Sequence, residues 1–214
     1  MKTILLLRHA KSAWGEPGLN DHDRPLNRRG ERAARAMAEH LIKHGPLPDQ
    51  ILCSTAIRAR QTLAPLQQVL APLPPISLEK GLYLASEGAL LERLRDLPTA
   101  VERVLLIGHN DGIGELATGL AGRGRRSALA TLREKYPTGT IAALVAPIDR
   151  WSDLELGAAE HRAAVSLQQP AERRSAASRS LCRIPRPAIR SGLHRLRGST
   201  HQRNHQDASR HGFH

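Results

Sequence analysis

Three short aliphatic runs in this chain end in residue types that can hold an anion and attack it. Residues 4–7, Ile-Leu-Leu-Leu, lead straight into Arg8 and His9. Residues 51–53 give way to Ser54 and Thr55, with Arg58 one helical turn later. Residues 104–107 end in Gly108, His109 and Asn110. Arginine offers planar, permanently charged donors that match phosphate oxygens. A helix N-terminus beside Arg58 adds free backbone N–H groups. A neutral histidine has one ring nitrogen with a lone pair free to attack phosphorus. A guanidinium–phosphate contact contributes up to about 4 kcal/mol gross near a protein surface. Several such contacts would stabilise charge spread over the oxygens of a phosphoryl group in transit. The three run ends contribute no carboxylate, so the set suits a phosphoryl group better than a metal ion.

These residues can act together only if the fold brings the runs side by side. Residues 3–7 read as a strand buried on both faces. Asn27 can cap a helix reaching about His44, with Ala34, Met37, Ala38, Leu41 and Ile42 on its apolar stripe. Residues 49–53 form a second strand, and a helix follows over about 56–71, its register disturbed by Pro65. Residues 73–86 hold loop and one short strand. Ser86 can cap a helix over 87–95 that buries Leu90, Leu91 and Leu94. A third strong strand at 104–107 precedes a helix near 113–120, and further strands are expected at 140–146 and 154–156. Strands alternating with helices predict an α/β protein, a three-layer α/β/α sandwich around a mostly parallel sheet. In that architecture ligands gather at the carboxyl ends of the strands.

Composition narrows the classes. The 214 residues are 40% hydrophobic but only 2% aromatic, so the core must be built from aliphatic side chains and alanine. The net charge of +12 suggests a polyanion binder. Its distribution argues otherwise: residues 161–214 carry eleven arginines, no lysine and two acids, which leaves residues 1–160 close to balance at +3. Two distant cysteines, Cys53 and Cys182, support neither a disulfide framework nor a zinc spacing, and Cys53 reads as core. The apolar start is too short for a signal sequence and no run approaches a membrane span, so a cytoplasmic location is expected. A domain over 1–157 and a basic, disordered tail over 158–214 are the predicted organisation. An arginine-only bias is also what an out-of-frame reading of GC-rich coding sequence would give. Binding of nucleic acid is expected only nonspecifically, through that tail.

Together, "LLLRHAKSAW", "DHDRPLNRRGERAA", "CSTAIRARQT" and "LLIGHN" resemble the histidine phosphatase superfamily, with its phosphoglycerate-mutase-like fold. The pattern is an Arg-His pair after the first strand, Ser54, Arg58 and Thr62 spaced by four after the second, and Gly108-His109 after a later one. Within it the chain resembles the phosphohistidine phosphatases of SixA type, which have no large helical insertion over the site. The resemblance implies a phosphatase that needs no metal or other cofactor. His9 would be the nucleophile, and Arg8, Arg58 and His109 would hold the phosphoryl oxygens. Asp21 and Arg24 match an acid and an arginine of that branch; as residues alone they read equally as a loop salt bridge. Ser12 and Lys11 could touch phosphate or lie on a solvated loop. Larger members carry an acidic proton donor, and Glu87 is the nearest by order, although an acid in a first helical turn needs no such role. The implied substrate is the phosphohistidine of a protein or a small phosphorylated molecule. The alternatives are a general phosphomonoesterase and a polyanion-binding protein acting through the tail.

Overall fold

The structure is a computed structural model and describes residues 1–14 and 18–166. Strand β1 (Lys2–Arg8) is buried along nearly its whole length, as its unbroken aliphatic run requires. Helix α1 (Arg28–His44) starts where Asn27 accepts a hydrogen bond from the Gly30 N–H at 2.9 Å, and it buries Ala34, Met37, Ala38 and Leu41. Then come β2 (Gln50–Ser54), α2 (Ile57–Val69, with Pro65 inside it) and β3 (Ile76–Glu79). Ser86 caps α3 (Glu87–Arg95) as predicted, and β4 (Arg103–Gly108) leads into α4 (Gly112–Leu120). The described chain closes with β5 (Ala121–Arg123), α5 (Arg126–Glu134), β6 (Thr140–Ala146) and β7 (Ala159–Ser166).

The strands make one sheet in the order β3-β2-β4-β1-β6-β7-β5. Alternate residues of β1 serve opposite cores. Ile4 and Leu6 pack with Leu90, Leu94 and Leu116 of α3 and α4. Leu5 and Leu7 pack with Met37, Leu41, Leu63 and Leu66 of α1 and α2. The predicted three-layer α/β/α sandwich is therefore present, and no large helical insertion interrupts it among the described residues. Most strand pairs are parallel, but β6 runs antiparallel to both β1 and β7. An apolar run has the same pattern in either direction, so its sequence could not show this.

Two expectations near the end of the domain are corrected. Residues 154–156 are not a strand; a 3-10 turn at Trp151–Asp153 buries Trp151 and leads to Leu154, also buried. The sheet does not stop at Gly157 either. That glycine turns the chain at φ +77°, and β7 follows with an alternating buried pattern. Its inward residues include Ala159 and Ala163, too small to mark a strand by hydrophobicity. Pairing with β6 is what orders them. The ordered sheet thus extends at least to Ser166. The remainder of the predicted tail, with its expected disorder and polyanion binding, lies outside the described residues.

Candidate functional site

The three aliphatic runs lie side by side, because β2, β4 and β1 are adjacent and parallel. Register finishes the alignment: Arg8 is paired with Gly108 and Cys53 with Ile107, so all three strands open on one edge. The His9 N–H donates to the Gly108 carbonyl at 3.0 Å, which locks the two motif ends together. The His9 and His109 rings lie 5.1 Å apart between centroids. Gly112, at the start of α4, meets the Ala85 carbonyl so closely that a Cβ there would stand 2.0 Å from the oxygen. A side chain would push α4, and the turn carrying His109, off the sheet edge.

His9 is 7% exposed. Its Nδ1 is 2.7 Å from the Ala10 carbonyl, which can only accept, so Nδ1 carries the proton. Nε2 is left with a lone pair and accepts from the Arg58 Nε–H at 3.3 Å. Burial, and then the charges of Arg58, Arg8 and Arg24, push the His9 pKa down to about 4 against the support of the Ala10 hydrogen bond. His109 is lowered further, to about 3, by burial and by its neighbours His9 and Arg58. Its Nε2 is 2.8 Å from the Ser54 hydroxyl, while its buried Nδ1 has no partner among the described residues. Both histidines are therefore neutral at physiological pH.

Arg58 is the hub of the site and is 3% exposed, whereas Arg60 is exposed on the other face of α2. Besides His9 it reaches Asp21, through Nη1 to the backbone carbonyl and through Nη2 to Oδ2 at 2.9 Å. Thr62 holds it from behind, accepting from the Ala10 N–H at 3.0 Å and donating to the Arg58 carbonyl at 2.6 Å. The four-residue spacing of Ser54, Arg58 and Thr62 thus has a separate hydrogen-bonding use at each member.

Asp21 and Arg24 do form an ion pair, at 2.6 Å, but one built into the site rather than set apart in a loop. Asp21 also accepts from the Tyr83 hydroxyl at 2.6 Å. Hydrogen bonds from Tyr83, Arg24 and Arg58 hold its carboxyl well below the usual carboxylate range. Arg24 donates to the Ser12 hydroxyl at 2.8 Å and to the Ala13 carbonyl at 3.1 Å, and its guanidinium stacks 3.6 Å above the Trp14 ring. Ser12 is buried and its hydroxyl is engaged by Arg24. Arg8 leaves β1 on the parity of Ile4 and Leu6. It donates to the Tyr136 carbonyl at 2.7 Å, and its buried Nε has no partner among the described residues. Lys11 lies on the wall of a cleft beside Arg8.

Glu87 is not brought to this cluster. Its carboxylate packs against Gly119, seven residues along α4 from the end that faces the site, or about 10 Å of helix. Tyr83 and His22 were not anticipated as site residues. The Tyr83 ring stands edge-on to both His109, at 5.3 Å, and His22, at 4.9 Å. His22 bonds Thr55 at 3.0 Å and Asp23 at 3.1 Å. The sequence hinted at Tyr83 only through the scarcity of aromatics, since one of two tyrosines falls in an otherwise aliphatic loop. Cys53 is core as expected, and burial pushes its thiol up to about 12.

The depressed histidines make stability depend on pH. An unfolded histidine titrates near 6.5, whereas His9 and His109 bind a proton in the folded chain only near 4 and 3. Between those values the unfolded chain holds more protons, so stability falls as pH drops. The effect is on the order of 3 kcal/mol for His9 at full extent. Thermal unfolding is expected to shift steadily downward from pH 7 to pH 4.5. An unchanged Tm across that window contradicts neutral burial of the pair.

Fold and site together define a class: an α/β protein whose parallel strands present two neutral histidines among buried and half-buried arginines. The family model for the histidine phosphatase superfamily (branch 1) matches residues 4–146, and the chain belongs to that superfamily; it is a phosphatase. Among curated relatives, an uncharacterised Mycobacterium tuberculosis protein is 39% identical over 155 residues, covering 72% of this chain and 94% of its own length. A solved structure from Nakamurella multipartitia that bears the name phosphohistidine phosphatase SixA is 30% identical. It covers 79% of this chain and 96% of its own, with a TM-score of 0.68. A protein of the same name from Agrobacterium tumefaciens is 34% identical and covers 68% of this chain and 92% of its own, with a TM-score of 0.62. Among the described residues no helix is long and apolar enough to cross a membrane.

Proposed function

We propose that this phosphatase acts on phosphohistidine and passes the phosphoryl group through His9. The observation that carries the reading is the state of Asp21. It is the carboxylate that Arg58, Arg24 and Tyr83 hydrogen-bond, and these three donors hold it as an anion. It has no proton to give to a leaving alkoxide, and the Glu87 carboxylate lies away beside Gly119. The imidazole of a phosphohistidine does not need one. In its imidazolium form it already carries a proton on the other nitrogen and departs as a neutral molecule.

In the first step the Nε2 lone pair of His9 forms a bond to phosphorus while the substrate's P–N bond breaks, its electron pair leaving with the substrate imidazole. Arg58 turns its Nε–H from His9 to a phosphoryl oxygen, and Arg8 and His109 take the others. A doubly negative phosphoryl group raises the pKa of His109 and favours its cationic form. Arg24 and Asp21 position Arg58, and Arg24 also fixes Ser12. Water then attacks the phospho-His9, inorganic phosphate leaves, and His9 returns to its neutral form.

A general acid contributes roughly 10²- to 10⁴-fold to catalysis. The chain is therefore expected to hydrolyse a phosphohistidine peptide with kcat/KM at least ~10²-fold above that for glycerol phosphate, an unactivated ester. Equal rate constants on the two substrates favour a general phosphomonoesterase and overturn the reading. The SixA name borne by the two solved relatives points the same way as the chemistry.

A further inference from the structure

Arg8 gives one donor to the protein and keeps another unpaired. Its Nη1 donates to the Tyr136 carbonyl at 2.7 Å, while its Nε is buried with no partner among the described residues. A guanidinium offers two forks to an oxyanion, Nε with Nη2 along its side and Nη1 with Nη2 at its end. A carbonyl on Nη1 takes a donor from the end fork and leaves the side fork whole. A buried donor without a partner calls for an explanation, and a phosphoryl oxygen is a strong acceptor.

Distant parts of the chain converge to hold that carbonyl. Tyr136 lies between α5 and β6 and is 5% exposed. Its hydroxyl donates to the Leu6 carbonyl of β1 at 2.6 Å. The Gly139 N–H is shared between the Arg8 and His9 carbonyls, each at 3.0 Å, and ties the segment after Tyr136 to the end of β1. From the turn after β4, the Asn110 Nδ2 donates to the same Tyr136 carbonyl at 3.2 Å. Gly114 of α4 leaves room for this contact: a Cβ there would stand 3.2 Å from the Tyr136 Cβ and 3.3 Å from the Asn110 Nδ2. The ends of β1 and β4, the strands that carry His9 and His109, thus fix the carbonyl between them.

We propose that Tyr136 and Asn110 are positioning residues: they hold one carbonyl against Arg8 so that its Nε–Nη2 side faces the phosphoryl group. Both act through Arg8 and not on the substrate. The proposal rests on the reading above only for the role of Arg8 in holding phosphoryl oxygens. Two parallel N–H···O bonds from one rigid fork fix the direction of the group as well as its place. An Arg8 turned the wrong way would meet the oxyanion with a single donor, and phosphorus would lose its alignment with the His9 lone pair.

The test uses the full-length protein and inorganic phosphate, a probe without a leaving group, so its outcome does not depend on the phosphohistidine reading. In the wild type, the Arg8 Nε–H resonance, assigned by its loss in Arg8→Ala, is expected to move when phosphate is added. Tyr136→Phe keeps the ring in the core and removes the bond to Leu6, and Asn110→Ala removes the second donor to the carbonyl. Each should weaken calorimetric phosphate binding by roughly five- to tenfold, and neither should weaken it further once Arg8 is alanine. That dependence separates orientation of Arg8 from a general loss of structure, which would persist in both backgrounds. An Nε–H resonance that stays in place, or equal losses with and without Arg8, overturns the proposal. Wild-type affinity in Arg8→Ala removes Arg8 from phosphoryl binding, and the positioning with it. The expected pattern in a protein that leaves phosphohistidine intact supports the positioning and overturns only the function proposed above.

Discussion

Replacing His9 with alanine is expected to abolish a covalent phosphoenzyme and to lower turnover of a phosphohistidine peptide by on the order of 10⁴-fold or more. Tautomer and charge together set this outcome. The Ala10 carbonyl fixes the proton on Nδ1, and the surrounding arginines keep the ring neutral, so Nε2 presents a lone pair throughout the physiological range. No other group in the cluster combines a free lone pair with that position. Rapid quenching with labelled substrate should trap a wild-type adduct that survives base and is lost in acid, as a phosphoramidate is, and that is missing from the variant. A wild type without the adduct, or a variant that keeps its turnover, defeats the nucleophile assignment. The same substitution removes one buried neutral histidine. The loss of stability between about pH 6.5 and 4 should therefore become shallower, which separates a folded, inactive variant from a misfolded one.

Arg58→Ala is expected to have the next largest effect, lowering kcat/KM by roughly 10²- to 10³-fold, the size seen when one oriented donor to a developing charge is removed. It has a second, independent readout. The Arg58 charge depresses the pKa of His9, so the His9 titration followed by NMR should move up from about 4. Arg58→Lys should not rescue the rate. Arg58 uses Nε towards His9, Nη1 towards the Asp21 carbonyl and Nη2 towards the Asp21 carboxylate, and one ammonium cannot span those three directions. Full activity in the lysine variant, or an unmoved His9 titration in Arg58→Ala, contradicts the central position given to this guanidinium.

Much of this site is legible before folding because its parts lie next to strong local signals. The aliphatic runs of β1, β2 and β4 can only be buried strands, and each is followed at once by Arg8-His9, Ser54 or Gly108-His109. Parallel packing then forces those ends together. Asn27 and Ser86 begin helices because their side chains accept orphan N–H groups, a rule that acts within a few residues. Arg58 lies on the four-residue spacing from Ser54 to Thr62 and is buried, whereas Arg60, off that spacing, is exposed.

Other features depend on contacts between distant residues, and local pattern is silent about those. The direction of β6 and the existence of β7 follow from cross-strand pairing, which alanines accept without advertising it. Glu87 could be ranked by order as an acid, but only the packing of α3 on α4 turns its carboxylate towards Gly119. Tyr83 enters the site across 62 residues to bond Asp21, and Tyr136 holds Arg8 across 128. By itself the sequence determined the class of fold and the reactive groups, since both follow from short-range chemistry and burial. Tertiary structure alone decided that Asp21 is a bound anion and that His9 and His109 stay neutral. Charge state and field depend on what surrounds a group in space, and the chain assembles those surroundings only when it folds.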